Sequence, residues 1–175
     1  MKHGRIAVIT LAAAALVVSV GLAAQDRSSV KVPNGLSFAE FKDYENWQTI
    51  APSGTPEELK AILGNPVMMK ALKDGVPGNG KPVPDGAMMT KIDWVKHANA
   101  ESPYPVDVPN TLKSVSFMVK DSKRFAASGG WGYAQFTYDT ASKAFSPVGT
   151  GSSCGFACHT RVKAQDYVFT KYAPR

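Results

Sequence analysis

The residues best suited to chemistry lie near the C-terminus, where Cys154-Gly155-Phe156-Ala157-Cys158-His159 sets a histidine directly after the second of two cysteines. Thiols are nucleophiles and soft metal ligands, and a neutral imidazole nitrogen binds metals. A c-type haem uses this arrangement: the two thiols add to the porphyrin vinyl groups and the adjacent imidazole reaches the iron. Three residues separate the cysteines here, one more than usual for such a site. On a helix, positions three and four apart share a side, so the wider spacing still presents both thiols together. Two other readings stay open. A local disulfide between Cys154 and Cys158 suits an oxidising compartment but leaves His159 without a role, and a zinc site needs ligands that the nearby sequence does not obviously supply.

Elements that can position this segment are legible upstream. Ser37-Phe38-Ala39-Glu40 is a capping-box pattern and opens a short helix carrying Phe38, Phe41 and Tyr44. Thr55-Pro56-Glu57-Glu58 predicts a second helix, with a cap, a proline at its first position and Leu59, Ile62 and Leu63 on one face, ended by Gly64-Asn65-Pro66. A third helix is expected over 67–73, capped by Asn65. Residues 75–85 are dense in Gly and Pro and read as a loop. Strands are expected over 87–95, 112–119 and 131–138, which are rich in β-branched, aromatic and methionine residues. The fold class is therefore α+β, an antiparallel β-sheet with a few short helices.

Alternate strand residues point to opposite faces. In the first strand Met88, Ile92 and Trp94 share one face, and Ala87, Met89, Lys91 and Asp93 the other. In the second, Val115, Phe117 and Val119 oppose Ser114, Ser116 and Met118. If the two mixed faces lie on one side, that side carries small residues and a lysine, which suits a flat cofactor; a sheet with one wet face gives the same alternation.

Residues 1–24 read as a signal peptide, with a basic start, an apolar run from Ile6 to Leu22 and small residues Ala23-Ala24, so the chain is expected to be periplasmic. A retained membrane anchor is the alternative; no other stretch is apolar enough to span a bilayer, so no stable membrane insertion is expected after cleavage. Residues 25–36 read as a flexible mature N-terminus and 37–175 as one domain, a division that suits about 150 residues. Loss of Lys2 and Arg5 lowers the formal charge from +6 to +4, spread without a basic block, so nucleic acid is not an expected partner.

The ordered set Pro84-Asp85-Gly86-Ala87-Met88-Met89-Thr90-Lys91, Phe117-Met118-Val119-Lys120-Asp121, Gly130-Trp131-Gly132 and Cys158-His159 followed by Asp166-Tyr167-Val168-Phe169-Thr170 resembles the cytochrome P-460 family, which includes the related β-sheet cytochromes c-prime. The resemblance runs from Phe38 to the C-terminus. It implies a periplasmic homodimer with haem c, its iron held from below by His159 and open above, binding nitric oxide or oxidising nitric oxide or hydroxylamine. Cys154 and Cys158 match the attachment cysteines. Lys91, six residues after Asp85, matches a lysine that oxidising members bond to the haem edge. Ser116 stands where those members carry a distal glutamate, and a serine hydroxyl is a poor base at neutral pH. Phe117 and Met118 beside it are expected to narrow the distal pocket. His97 reads as a surface residue, and Met88, Met89 and Met118 as core residues before iron ligands. Trp131 and Tyr133 read as packing. The alternatives are an electron-transfer cytochrome with both axial positions filled, docking a redox partner protein through its mild positive charge, and a non-haem protein of this fold with a local disulfide.

Overall fold

The computed structural model describes residues 25–33, 35–149 and 153–173, with Ser153 and Cys154 described by their backbone alone. The segment read as a signal peptide lies outside the described residues. Alternating apolar and polar positions along the middle of the chain form one antiparallel sheet of six strands in chain order. The strands are β1 (Gln48–Gly54), β2 (Glu58–Gly64), β3 (Met88–Ala98), β4 (Asp107–Lys120), β5 (Trp131–Asp139) and β6 (Ala144–Pro147). Two α-helices accompany them, α1 (Pro66–Lys73) and α2 (Ser153–His159), together with short 3₁₀ turns. The α+β class read from the sequence is the one observed.

The sheet buries both faces. Behind it, Phe38, Phe41 and Tyr44 from the N-terminal 3₁₀ turns pack with Val115, Phe117, Val119, Phe136 and Phe145. In front, α1, the 75–85 loop and the C-terminal segment bring Met68, Met69, Val83, Tyr167 and Val168 against Ile62, Met89, Trp131 and Tyr133. The expected capping box is present at Ser37, whose side chain and that of Glu40 bond each other's backbone N–H ends of the turn. The segment 25–36, read as loose, is anchored: Val32 and Leu36 are fully buried, and Gln25 exchanges two hydrogen bonds with the Phe145 backbone. Three of its apolar side chains, Val30, Val32 and Leu36, fill the rear core, which the polar residues around them concealed.

One expected helix is a strand. Thr55 Oγ1 does accept from the backbone N–H groups of Glu57 and Glu58, as a helix cap would. The chain then extends as β2, because Thr55 sits in the turn of a hairpin and the backbone of β2 is paired on both sides, to β1 and β3. Ile62 and Leu63, assigned to one helix face, point to opposite faces of the sheet. The helix capped by Asn65 is as expected: its side chain accepts from Met68 N at 2.9 Å.

Candidate functional site

Pairing decides which residues meet. Lys91 lies opposite Ser116, Asp93 opposite Ser114 and Met89 opposite Met118. The two mixed faces of β3 and β4 are therefore one surface, extended by Ile62 on β2 and by Tyr133 and Gln135 on β5. A cavity of about 460 Å³ opens on this surface. Cofactor and small-molecule sites span roughly 300–1,000 Å³. Its walls include Lys91, Ser116, Met118 and Tyr133 from the sheet, Cys158 and His159 from α2, and Phe169 from the C-terminal segment.

Helix α2 reaches the sheet because Gly155 has no side chain. A Cβ there would stand 2.6 Å from the Tyr133 side chain, inside any real contact distance. At the end of this helix, the His159 ring lies 5.1 Å from Tyr133 and 4.9 Å edge-on to Phe169. Its Nδ1 is 2.7 Å from the Tyr167 carbonyl oxygen, to which only a protonated Nδ1 can donate. Burial, helped by the Lys91 charge, lowers the imidazole pKa, against the Tyr167 carbonyl, which raises it. The neutral tautomer that results keeps the Nε2 lone pair for a metal, with its orientation fixed by the backbone.

The carbonyl that orients His159 is itself held by an uncommon backbone. Asp166 and Tyr167 are consecutive left-handed residues, with φ of 46° and 63°. Such conformations persist where surroundings over-determine them. Here the Asp166 carboxylate accepts from Lys120 Nζ at 2.8 Å and from Val83 N at 2.7 Å, and its carbonyl accepts from Trp131 Nε1 at 2.8 Å. Lys120 is buried and donates also to Gly129 O, so the charge is fully paired. Gly129 makes room for the Tyr167 ring, since a Cβ there would stand 2.2 Å from it. Sequence reasoning named Asp166 and Tyr167 only as part of a motif; the signal that they work together with Lys120 is their buried pairing, which spans 46 positions and is invisible along the chain.

Of the site residues singled out in the sequence, Lys91, Ser116, Phe117, Cys158 and His159 border the cavity, with Met118 and Tyr133 beside them. Cys158 is exposed and carries a free thiol. Position 154 is one helical turn earlier on α2, and the Cys154 side chain lies outside the described residues. Phe117 is a correction. Position 117 borders the cavity, but its ring stacks on Phe41 at 4.1 Å in the rear core and is 1 % exposed, so the ring itself packs behind the sheet. The alternation of β4 sends it to the opposite face from Ser116, and Met118 alone of that pair fills the front. His97 is exposed on β3. Trp131 is fully buried and packs, whereas Tyr133 packs and also backs His159.

A planar, largely apolar group fits this site: the cavity has apolar walls, one oriented imidazole and an accessible thiol adjacent in sequence. Among the described residues no cluster of three or more His, Cys, Asp or Glu could hold a metal ion. A porphyrin supplies its own four nitrogens, so a single protein imidazole suffices for its iron. No curated protein matches the chain. The family model for cytochrome P460 matches residues 41–170, which hold every cavity wall named above. The chain is a member of the cytochrome P460 family, a haem cytochrome family, as the sequence motifs implied.

Proposed function

We propose that the protein is a periplasmic mono-haem c-type cytochrome, a homodimer as its family resemblance implies, that binds a small nitrogen species, nitric oxide foremost, on an open side of the haem iron. His159 is the iron ligand, and Cys154 and Cys158 are the thioether residues. The bound haem would supply an iron centre able to bind such gases and to exchange electrons with a redox partner protein. The observation that carries this reading is His159, oriented by the Tyr167 carbonyl and facing a cavity beside an accessible Cys158.

The protein's own residues favour binding over oxidation of hydroxylamine. Ser116 faces the cavity with a hydroxyl that is a poor proton acceptor, and the carboxylate nearest in register, Asp93, is buried and engaged by Ser114. Met118 contributes an apolar wall that suits an uncharged diatomic ligand. The same methionine favours a second reading, an electron carrier with Met118 as the other axial ligand. Titration of the reduced protein with carbon monoxide separates the two. Saturable binding at micromolar ligand, seen as a shift of the haem absorption, is the expected result. A spectrum indifferent to carbon monoxide identifies the closed electron carrier.

A further inference from the structure

The segment that follows α2 is charged outward with one sign only. Between Gly155 and Ala173 the chain holds three permanent cations, Arg161, Lys163 and Lys171, and a single carboxylate, Asp166. Asp166 is turned inward, accepting from Lys120 Nζ at 2.8 Å and from Val83 N at 2.7 Å, so it does not offset them at the surface. All three cations are exposed, and among the described residues none of them is in an ion pair, whereas the cavity's own Lys60 and Lys91 are matched by Glu58 and Asp93. They flank a direct route from the His159 ring to the surface. Thr160 and Arg161 follow that residue in the chain, and Phe169, edge-on to the ring at 4.9 Å and 50 % exposed, leads through Thr170 to Lys171. Backbone bonds fold this stretch back on itself: Tyr167 N donates to Val162 O at 3.1 Å, Asp166 N to Lys163 O at 3.0 Å and Val168 N to Gln165 O at 3.0 Å. Arg161 and Lys163 are therefore presented on a fixed turn, and a partner need not order it on binding.

We infer that the surface formed by residues 160–171 is the docking face for an acidic one-electron redox protein, which exchanges electrons with the haem from the His159 side. This inference rests on the haem reading above and adds to it the partner's chemistry and the place where it binds. Electron transfer slows steeply with distance, so a partner gains most where the iron ligand lies nearest the surface. Opposite charge raises the encounter rate by roughly 10–1,000-fold and orients the partner, and the contacts of redox proteins are small, so three cations around one exposed ring suffice without a large apolar patch. A second copy of the chain is a poor occupant. A twofold contact sets a patch against itself, and here it would press cations on cations with no carboxylate between them.

The test follows reduction of the haem-loaded protein by stopped-flow absorption with two donors of opposite charge, an acidic flavodoxin and hexaammineruthenium(II). In each case one electron passes to the ferric haem, which becomes ferrous, while flavodoxin hydroquinone becomes the semiquinone or ruthenium(II) becomes ruthenium(III). The variant Arg161→Glu/Lys163→Glu/Lys171→Glu is expected to react with flavodoxin about tenfold or more slowly at low salt, and to lose the decline in rate that the wild type shows from about 10 to about 300 mM salt. Its reduction by hexaammineruthenium(II) is expected to be unchanged or faster. Lys31→Glu/Lys42→Glu/Lys143→Glu changes the net charge equally, at exposed positions outside the segment, and is expected to stay within about threefold of the wild type with flavodoxin. Equal slowing by the two triple variants, no slowing by the first, or slowing of the first toward both donors overturns the inference and leaves the haem reading intact. Sedimentation of the wild type with vesicles of anionic phospholipid, lost in the first variant, assigns the face to a lipid surface and overturns it likewise. A wild-type protein with no haem absorption before any donor is added overturns the haem reading itself, and this inference with it.

Discussion

The two faces of one sheet are built to opposite specifications. At the rear, Phe38 lies 5.3 Å from Phe117, 5.0 Å from Phe136 and 4.9 Å from Phe145, and Phe41 stacks on Phe117, a close-packed aromatic core. At the front, the same strands carry Ser116, Gln135 and Lys91 around a cavity. β4 serves both, sending Val115, Phe117 and Val119 back and Ser114, Ser116 and Met118 forward. The lesson is a division of labour within a single strand: the rear face stabilises the fold, and that surplus lets the front face keep an open site.

The comparison breaks most sharply with Phe117→Ala. Removing a fully buried ring costs about 3–5 kcal/mol, so a large fall in the denaturation midpoint is expected with ligand affinity of the folded protein unchanged. An altered affinity in folded protein would show that the faces are not independent. Next comes Lys120→Met, which leaves the partly buried Asp166 without its cation and is expected to cost up to about 3 kcal/mol. It should also perturb haem absorption, because Asp166 anchors the Tyr167 carbonyl that orients His159; a stability loss with an unmoved spectrum would sever that link. Gly155→Ala drives a methyl into Tyr133 and is expected to cost about 1–3 kcal/mol, with poorer haem incorporation as α2 is pushed off the sheet.

The smallest effect concerns pH. Burial lowers the His159 pKa below its ordinary 6.5, so the unfolded chain takes up a proton that the folded one does not. Stability is full above 6.5 and declines as pH falls through it toward the folded value. Haem-free protein is therefore expected to lose Tm between about pH 7.5 and 5 by on the order of 1–3 °C more than a His159→Gln variant. Parallel pH profiles would show His159 to be unburied in that form.

Much of this was legible before any coordinates. The parity of β3 and β4 put Lys91, Asp93, Ser116 and Met118 on one surface, because strand alternation is a local rule and both strands obey it where they matter. The Asn65 cap and the Ser37 box were equally local. Thr55 misled for a physical reason: a cap and a hairpin turn present the same hydroxyl to the same two N–H groups, and only pairing with β1 and β3 decides between them. β1 and β6 escaped notice because they are edge strands with few buried residues. Phe117 is adjacent to Ser116 in sequence but opposite to it in strand parity, and parity decides which face its ring meets. The Lys120–Asp166 pair and the Asp85–Ser122 bonds at 2.8 and 2.6 Å turn two family motifs into structural ties, and their meaning lies in distant contacts.

The central claim is that His159 holds a haem iron in the front cavity. The direct test is the reduced absorption spectrum of wild-type and His159→Ala protein, each purified from a periplasm with active c-type haem maturation. The account predicts an intense haem spectrum for the wild type and a lost or strongly altered one for His159→Ala. Equal haem loading with identical spectra in the two proteins would contradict it.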